Sequence, residues 1–175
     1  ATGAQEMLMP ALQPKGIWEE TGRWASLAEI MYQFKDRSGK EAGLAATHEE
    51  VIYDLVRRNI NSYRELPFAI YQIQNKFRNE LRAKGGIIRG REFMMKDLYS
   101  FHLEQADLDR YYQQLIEAYQ NVYRRCGLES KVVEASGGVF TQNYSHEFQV
   151  ISEAGEDKII FCSDCAYGQN TEITK

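Results

Sequence analysis

Residues 76–101 read KFRNELRAKGGIIRGREFMMKDLYSF, which predicts two polar strands joined by a short basic loop with two glycines. Alternate residues of a strand share a face. By this alternation, Arg78 and Glu80 share a face of the first strand, and Arg89 and Phe93 share a face of the second. If the hairpin closes at its glycines, the four side chains converge on one wall. Such a wall suits a nucleotide, because guanidinium groups bind phosphates, a carboxylate accepts from an amino group and a ring stacks on a base.

A hairpin with its charges in solvent is the alternative interpretation of this stretch, since charged hairpin faces are common. The order of the residues is more specific than that. FRNE followed by RGREF resembles motif 2 of the class II aminoacyl-tRNA synthetases, and the continuation REFMMKDLYSFH is similar to the bacterial-type prolyl-tRNA synthetases. Further segments fit that family in the same order: GAQEMLMPALQP at 3–14, THEE at 47–50, YQIQNKFR at 71–78, SHEF at 145–148 and GED at 155–157.

Composition limits the class of protein. With 175 residues, 43% hydrophobic and 26% charged, the chain is long enough for one substantial core. It has no apolar run near the roughly 18 residues that span a membrane, and no secretory signal. We therefore expect a cytoplasmic protein without membrane contact. The net charge of −4 argues against a general nucleic-acid coat, although a local basic patch can still contact RNA.

The hydrophobic pattern predicts an α+β fold with a mixed, largely antiparallel sheet flanked by helices. The THEE segment has the capping-box pattern, with Thr47 as N-cap and Glu50 three residues later, so a helix should follow it. A second helix is predicted over residues 104–126, with Gly127 placed to end it. Strands are predicted at 68–78, 131–135, 146–152 and 158–162.

The resemblance implies an ATP site on the hairpin. Amino-acid activation joins two anions, and one fixed guanidinium matters because a unit charge pair about 4 Å apart interacts by roughly 4 kcal/mol at a dielectric of about 20. The family likeness implies that Arg78 bridges the α-phosphate and the amino-acid carboxylate, which makes it the catalytic candidate. It implies further that Glu80 accepts from the adenine amino group, Arg89 meets the outer phosphates and Phe93 stacks on adenine.

The same resemblance implies a proline site. Glu49 would pair with the secondary ammonium of proline, Thr47 would hydrogen-bond beside it, and Arg78 and His146 would complete the pocket. The alternative for Thr47 and Glu49 is an N-cap and a first-turn acid that complements the helix dipole. We expect that simpler role for Glu50.

Two departures from the family pattern border this pocket. Ala45 and Ala46 stand where the family usually has Gly-Pro, and a bulky stretch that includes Asn143 and Tyr144 replaces a glycine- and serine-rich approach. The sequence therefore leaves open whether the pocket still selects proline.

Cys162 and Cys165 form a CxxC pattern, which suggests zinc or redox chemistry. The pattern supplies two ligands, whereas tetrahedral zinc needs four, and no second CxxC follows. The alternatives are half of a metal site and a simple turn. We favour the turn and expect no zinc.

Taken as a whole, residues 1–175 resemble a partial class II catalytic domain that runs from the end of motif 1 through motif 2. Motif 3 and an anticodon-binding domain would lie in a longer parent, and the sequence leaves an editing insertion open. The resemblance implies a homodimeric ligase that uses ATP with Mg²⁺ to form prolyl-adenylate and transfers proline to the 3′ end of its tRNA. We expect the fragment alone to be weakly active or inactive. The alternative is a synthetase-like binding or regulatory module without aminoacylation.

Overall fold

The structure is a computed structural model that describes residues 2–138, 145–165 and 167–174. These residues form two compact units, one from Gly3 to Leu108 and one from Asp109 onward. No helix within the described ranges is both long and apolar enough to cross a membrane.

The first unit contains two small sheets and three helices. Its elements in chain order are β1 (Gln5–Glu6), β2 (Leu12–Pro14), α1 (Lys15–Glu20), α2 (Arg23–Ser26), β3 (Gln33–Lys35), β4 (Glu41–Leu44), α3 (Glu49–Asn59), β5 (Phe68–Phe77) and β6 (Glu92–Phe101). One sheet has the order β1-β5-β6, with β1 parallel to β5 and β6 antiparallel to it. The other has the order β2-β4-β3 and is antiparallel throughout.

The second unit holds most of a long helix and a four-stranded sheet. Helix α4 (Gln105–Arg125) starts at the end of the first unit, and β7 (Ser130–Ala135), β8 (Ser145–Val150), β9 (Ile159–Phe161) and β10 (Gly168–Asn170) follow. The sheet order is β8-β7-β10-β9, and only its β7–β10 pair is parallel. The predicted fold class is confirmed, although the strands of the described residues are divided among three sheets.

Several local predictions are confirmed. Strand β5 ends within one residue of its predicted limit, and α4 differs from its prediction by one residue at each end. Gly127 follows α4 with a φ of +74°, a left-handed conformation that glycine adopts without steric cost. The amide of Leu128 then donates to the carbonyl of Tyr123, which closes the last turn of the helix.

A tryptophan anchors the core of the first unit. Trp18, Leu27, Met31 and Ala46 are buried together. The indole Nε1 of Trp18 donates to Oε1 of Gln13 at 3.0 Å, so its one polar group is satisfied inside the core. This cluster packs α1 and the turn after α2 against the segment that leads into α3.

The start of α3 differs from the capping-box prediction. The helix begins at Glu49 with His48 as its N-cap, and no side chain caps it. Thr47 lies one residue outside, and its side chain hydrogen-bonds with Tyr99 on β6. Glu50 turns its carboxylate to Arg23 on α2, away from the helix backbone. The prediction is wrong because tertiary partners hold both of the side chains that would form the box.

His48 is fully buried at this helix start. Burial, and next the positive charge of Lys76, lower the pKa of His48 from 6.5 to about 4, against the opposing charge of Asp97. The histidine is therefore neutral in the folded protein at neutral pH.

Acid should destabilise the protein through His48. Because its folded pKa lies below its unfolded pKa, the unfolded chain binds a proton that the folded chain does not, and stability falls as pH falls from about 6.5 to about 4. The loss should reach at most about 3 kcal/mol. Urea unfolding across this range measures it. The variant His48→Gln should flatten the slope, and the exposed control His146→Gln should keep it. An unchanged slope in His48→Gln would contradict this assignment.

Candidate functional site

A buried polar cluster lies on one face of the β5–β6 hairpin. The side chains of Gln72 and Lys76 are fully buried. Asp97 accepts hydrogen bonds from Nζ of Lys76 at 2.7 Å, from Nε2 of Gln72 at 2.9 Å and from the hydroxyl of Tyr99 at 2.7 Å. The strand register places Gln72 directly opposite Asp97. A hairpin face with its charges in solvent, the alternative for this stretch, does not describe this cluster.

The cluster keeps its charges despite burial. Burial raises the pKa of Asp97, but its three hydrogen-bond donors outweigh this and hold the pKa below its usual 3.8. Burial lowers the pKa of Lys76 below 10.5, while the bond to Asp97 opposes that change. Burial also raises the pKa of Tyr99, and Asp97 adds to the rise, so Tyr99 stays protonated and donates.

The hairpin is bonded to the segment that precedes α3. Besides the Tyr99–Thr47 hydrogen bond, the amide of Phe77 donates to the carbonyl of Ala45 at 2.9 Å. Nε of Arg78 donates to the carbonyl of Ala46 at 3.2 Å. The first predicted ATP-site residue is thus held directly beside the predicted proline-site segment.

Arg78 follows the last residue of β5, and its amide donates to the carbonyl of Arg91 at 2.9 Å. The guanidinium carbon lies 5.4 Å from the centre of the Phe93 ring, a cation–π distance. Burial lowers the pKa of Arg78 and the charge of Glu80 opposes this, yet an arginine remains charged at neutral pH. The structure therefore brings two of the four predicted wall residues into contact.

The other two wall residues are Glu80 and Arg89. The prediction that they lie on strands and follow strand alternation is wrong. Strand β5 ends before Arg78 and β6 begins after Arg89, so neither they nor Glu80 lie on a strand. The amide of Glu80 donates to the carbonyl of Arg78 at 2.7 Å, a tight turn that interrupts the alternation. Arg89 pairs through its backbone with Lys84 across the glycine turn. The sequence overestimated the length of both strands because the loop residues continue their polar pattern.

Glu80 has a local role in this loop. One of its carboxylate oxygens accepts from the amide of Arg82 at 2.9 Å, and its carbonyl accepts from Nε of Arg91 at 3.1 Å. These bonds fix the backbone at the start of the hairpin loop.

Glu49 belongs to a charged cluster that the sequence did not reveal. Nη1 of Arg23 donates to the carboxylate of Glu49 and also to Oε1 of Glu50 at 3.0 Å. Thr21 donates its hydroxyl to Glu50 at 3.3 Å. The side chain of Glu50 is only 1% exposed, so it is a buried ion-pair partner in addition to being a first-turn acid. Two adjacent acids at a predicted helix start were the only sequence signal for a nearby cation.

His146 and the cysteine pair lie in the second unit. His146 is exposed on β8, and its Nδ1 lies 3.1 Å from the hydroxyl of Tyr112 on α4. Cys162 and Cys165 are free thiols on the turn after β9, and backbone N–H groups of the turn lower the pKa of Cys162. The bulky stretch that includes Asn143 and Tyr144, which departs from the family pattern beside the pocket, lies outside the described residues. Within the described ranges, no three His, Cys, Asp or Glu side chains are grouped so that they could hold a metal ion.

The first unit places a cation and an anion beside one segment of the chain. The guanidinium of Arg78 donates a hydrogen bond to the carbonyl of Ala46, and Glu49 follows three residues later in the same segment. The helix start adds partial positive charge from its amides. Such a pair of charges is what recognition of a zwitterion, with an anionic and a cationic group, requires.

Comparison with known proteins gives three findings. Residues 32–172 match the family described as the tRNA synthetase class II core domain (G, H, P, S and T). The chain is 52% identical over 171 residues to a proline–tRNA ligase of Dehalococcoides mccartyi, and 47% identical over 171 residues to one of Moorella thermoacetica. Each alignment covers 98% of this chain and 30% of the relative, so the chain spans about 30% of the length of the curated relatives it matches.

A solved structure is also similar. It is described as the Giardia lamblia prolyl-tRNA synthetase in complex with prolyl-adenylate. The TM-score is 0.76 at 18% identity, and the match covers 85% of this chain and 32% of that one. At this identity the likeness is evidence for the fold.

Removing the buried lysine should destabilise the first unit strongly. Lys76→Ala leaves Asp97 buried without its cation, which costs about 3–5 kcal/mol in comparable cases. The matched control is Lys15→Ala, which breaks the half-exposed pair with Glu41 and should leave stability almost unchanged. Urea unfolding followed by tryptophan fluorescence measures both variants. Equal effects of the two would show that the Lys76–Asp97 pair has no special structural role.

Proposed function

The chain belongs to the class II core-domain family of tRNA synthetases, and we propose that it forms the ATP- and amino-acid-binding part of a proline–tRNA ligase. The complete enzyme would activate proline with ATP, supplied as its Mg²⁺ complex, and transfer it to the 3′ end of its tRNA. We propose further that it acts as a cytoplasmic homodimer. The observation that carries this proposal is the double contact of Arg78, with the Phe93 ring and with the backbone beside Thr47.

Activation requires an oxygen of the proline carboxylate to attack the α-phosphorus of ATP, with pyrophosphate as the leaving group. Both reactants are anions, so their approach is opposed until fixed positive charge offsets it. In this proposal the Arg78 guanidinium lies between the two anions and contacts both. Its half-buried position and its hydrogen bond to Ala46 hold it in place before substrate binds, which is what an electrostatic catalyst needs.

The adenine end of ATP would be bound by the hairpin. We assign Phe93 to stacking on adenine, beside the Arg78 guanidinium that lies over its ring. Glu80 would accept from the adenine amino group, and Arg89 would contact the outer phosphates. The hydrogen bonds of Glu80 to Arg82 and Arg91 support this role because they fix the loop backbone before ATP arrives.

The amino acid would be bound at the start of α3. Glu49 would pair with the secondary ammonium of proline and Thr47 would hydrogen-bond beside it, while Arg78 takes the carboxylate. The Thr47 side chain is held by Tyr99, so its orientation depends on the buried cluster on the hairpin. His146 stays a proposed proline-binding residue on the family resemblance alone.

Arg78→Ala should nearly abolish activation. In a full-length enzyme that carries these 175 residues, losing a preorganised charge donor should raise the barrier by at least about 2–3 kcal/mol, a loss of roughly 30- to 150-fold in kcat/KM. Proline-dependent ATP–pyrophosphate exchange measures this. The control Arg37→Ala removes an exposed charge in the turn between β3 and β4 and should leave exchange unchanged. Near-normal exchange in Arg78→Ala would rule out the assignment, and ATP binding without any exchange in the unaltered enzyme would favour a non-aminoacylating module.

Glu49→Gln should raise the KM for proline and leave the KM for ATP almost unchanged. The amide keeps the shape of the side chain but removes the charge that pairs with the proline nitrogen, so KM for proline should rise about tenfold or more while KM for ATP changes little. Exchange kinetics with each substrate varied in turn measure both constants. Equal increases in the two KM values would show that Glu49 has only a structural role at the helix start.

A further inference from the structure

We propose that Arg23 is a positioning residue for amino-acid recognition, which holds the Glu49 carboxylate in place to receive the substrate nitrogen. This inference rests on the proposed function and extends it to a residue on a different helix. Arg23 is the first residue of α2, whereas Glu49 and Glu50 are the first two residues of α3.

The three side chains differ in exposure in a way that separates their roles. Glu50 is 1% exposed, whereas Glu49 is 26% exposed and Arg23 is 22% exposed. Glu50 also accepts from the hydroxyl of Thr21, so it is held from two sides. Glu50 thus fixes Arg23 from the interior, and Arg23 in turn holds the more accessible carboxylate of Glu49.

Among the described residues, the charges of this cluster are unbalanced. One guanidinium faces two carboxylates, and the neighbouring His48 is neutral at physiological pH because its pKa is about 4. Buried carboxylates are stable when each has a positive partner. A ligand with one cationic nitrogen would supply the missing charge, and the accessible member, Glu49, is the one it can reach.

Nη1 of Arg23 donates to both carboxylates. If the arginine is removed, Glu49 and Glu50 repel each other, and the exposed Glu49 is the one that can turn toward solvent. The amino-acid site would then lose its oriented anion although both acids remain in the chain. Arg78 is held by separate hydrogen bonds to the carbonyls of Ala46 and Arg91, so the ATP site should not be affected.

The experiment uses a full-length enzyme that carries these residues and measures KM for proline, KM for ATP and kcat by ATP–pyrophosphate exchange. For Arg23→Met we expect KM for proline to rise about tenfold, with KM for ATP and kcat within about twofold of the unaltered enzyme. Arg23→Lys should recover most of the loss, because it restores the positive charge between the two acids.

Arg57→Met is the matched control. Arg57 links α3 to α1 through Glu20 and also pairs with Asp54 within α3, but it lies at the other end of α3 on the exposed surface. Its removal breaks a comparable interhelical tie and should leave both KM values unchanged. A general loosening of the helix packing would instead affect both variants alike.

A double-mutant cycle tests whether Arg23 acts through Glu49. In a Glu49→Gln background, Arg23→Met should change KM for proline by less than about twofold, because the carboxylate it orients is already gone. The inference is overturned if Arg23→Met leaves KM for proline unchanged, raises both KM values equally, has the same effect in the Glu49→Gln background, or is not rescued by Arg23→Lys. If the unaltered enzyme shows no proline-dependent exchange, the proposed function itself fails. If the unaltered enzyme shows exchange but the Arg23 variants behave as listed above, only the role of Arg23 fails.

Discussion

The buried ion pair between Lys76 and Asp97 is the interaction on which the arrangement of the first unit depends. Neither charge can lie in the interior alone, because an unpaired buried ion is far more costly than a paired one. The pair therefore stabilises the observed register of the hairpin and the direction of the side chains around it. Through Tyr99, which donates to Asp97, it also fixes Thr47 at the entrance to α3.

A second charged cluster, of Arg23, Glu49 and Glu50, lies at the start of α3. The segment of residues 45–50 is thus held by the hairpin cluster at one end and by this cluster at the other. Both clusters use side chains from elements distant in sequence, so the local backbone of the segment is set by tertiary contacts. This explains how the Arg78 guanidinium, bonded at Ala46, and the Glu49 carboxylate can both be fixed beside the same short segment.

Much of the fold could be predicted from the sequence, because its signals are local. Alternation marked β5, helical periodicity marked α4, and Gly127 marked the end of that helix. The capping box was also a local signal, and it failed because Tyr99 and Arg23 outcompete the helix backbone for its side chains. Local patterns do not report such competition.

The site was harder to predict, for a physical reason. The pairing of Lys76 with Asp97 depends on strand register, and register depends on a loop whose geometry the sequence does not specify. Arg23 gave no signal because its partners lie 26 and 27 residues away. The contact between Arg78 and Phe93 was expected from closure of the hairpin, but Arg78 lies just beyond the end of β5 and Phe93 lies within β6. The family resemblance assigns both residues to one ATP site, and that assignment stays a prediction.

The most direct test of the account is a crystal structure of a full-length enzyme carrying these residues, bound to a non-hydrolysable prolyl-adenylate analogue. The account predicts that the Arg78 guanidinium hydrogen-bonds the group replacing the α-phosphate, that the adenine stacks on Phe93, and that a Glu49 oxygen lies within hydrogen-bonding distance of the proline nitrogen while Arg23 still contacts Glu49. An analogue bound away from the β5–β6 hairpin, or a proline nitrogen held by groups other than Glu49, would contradict it.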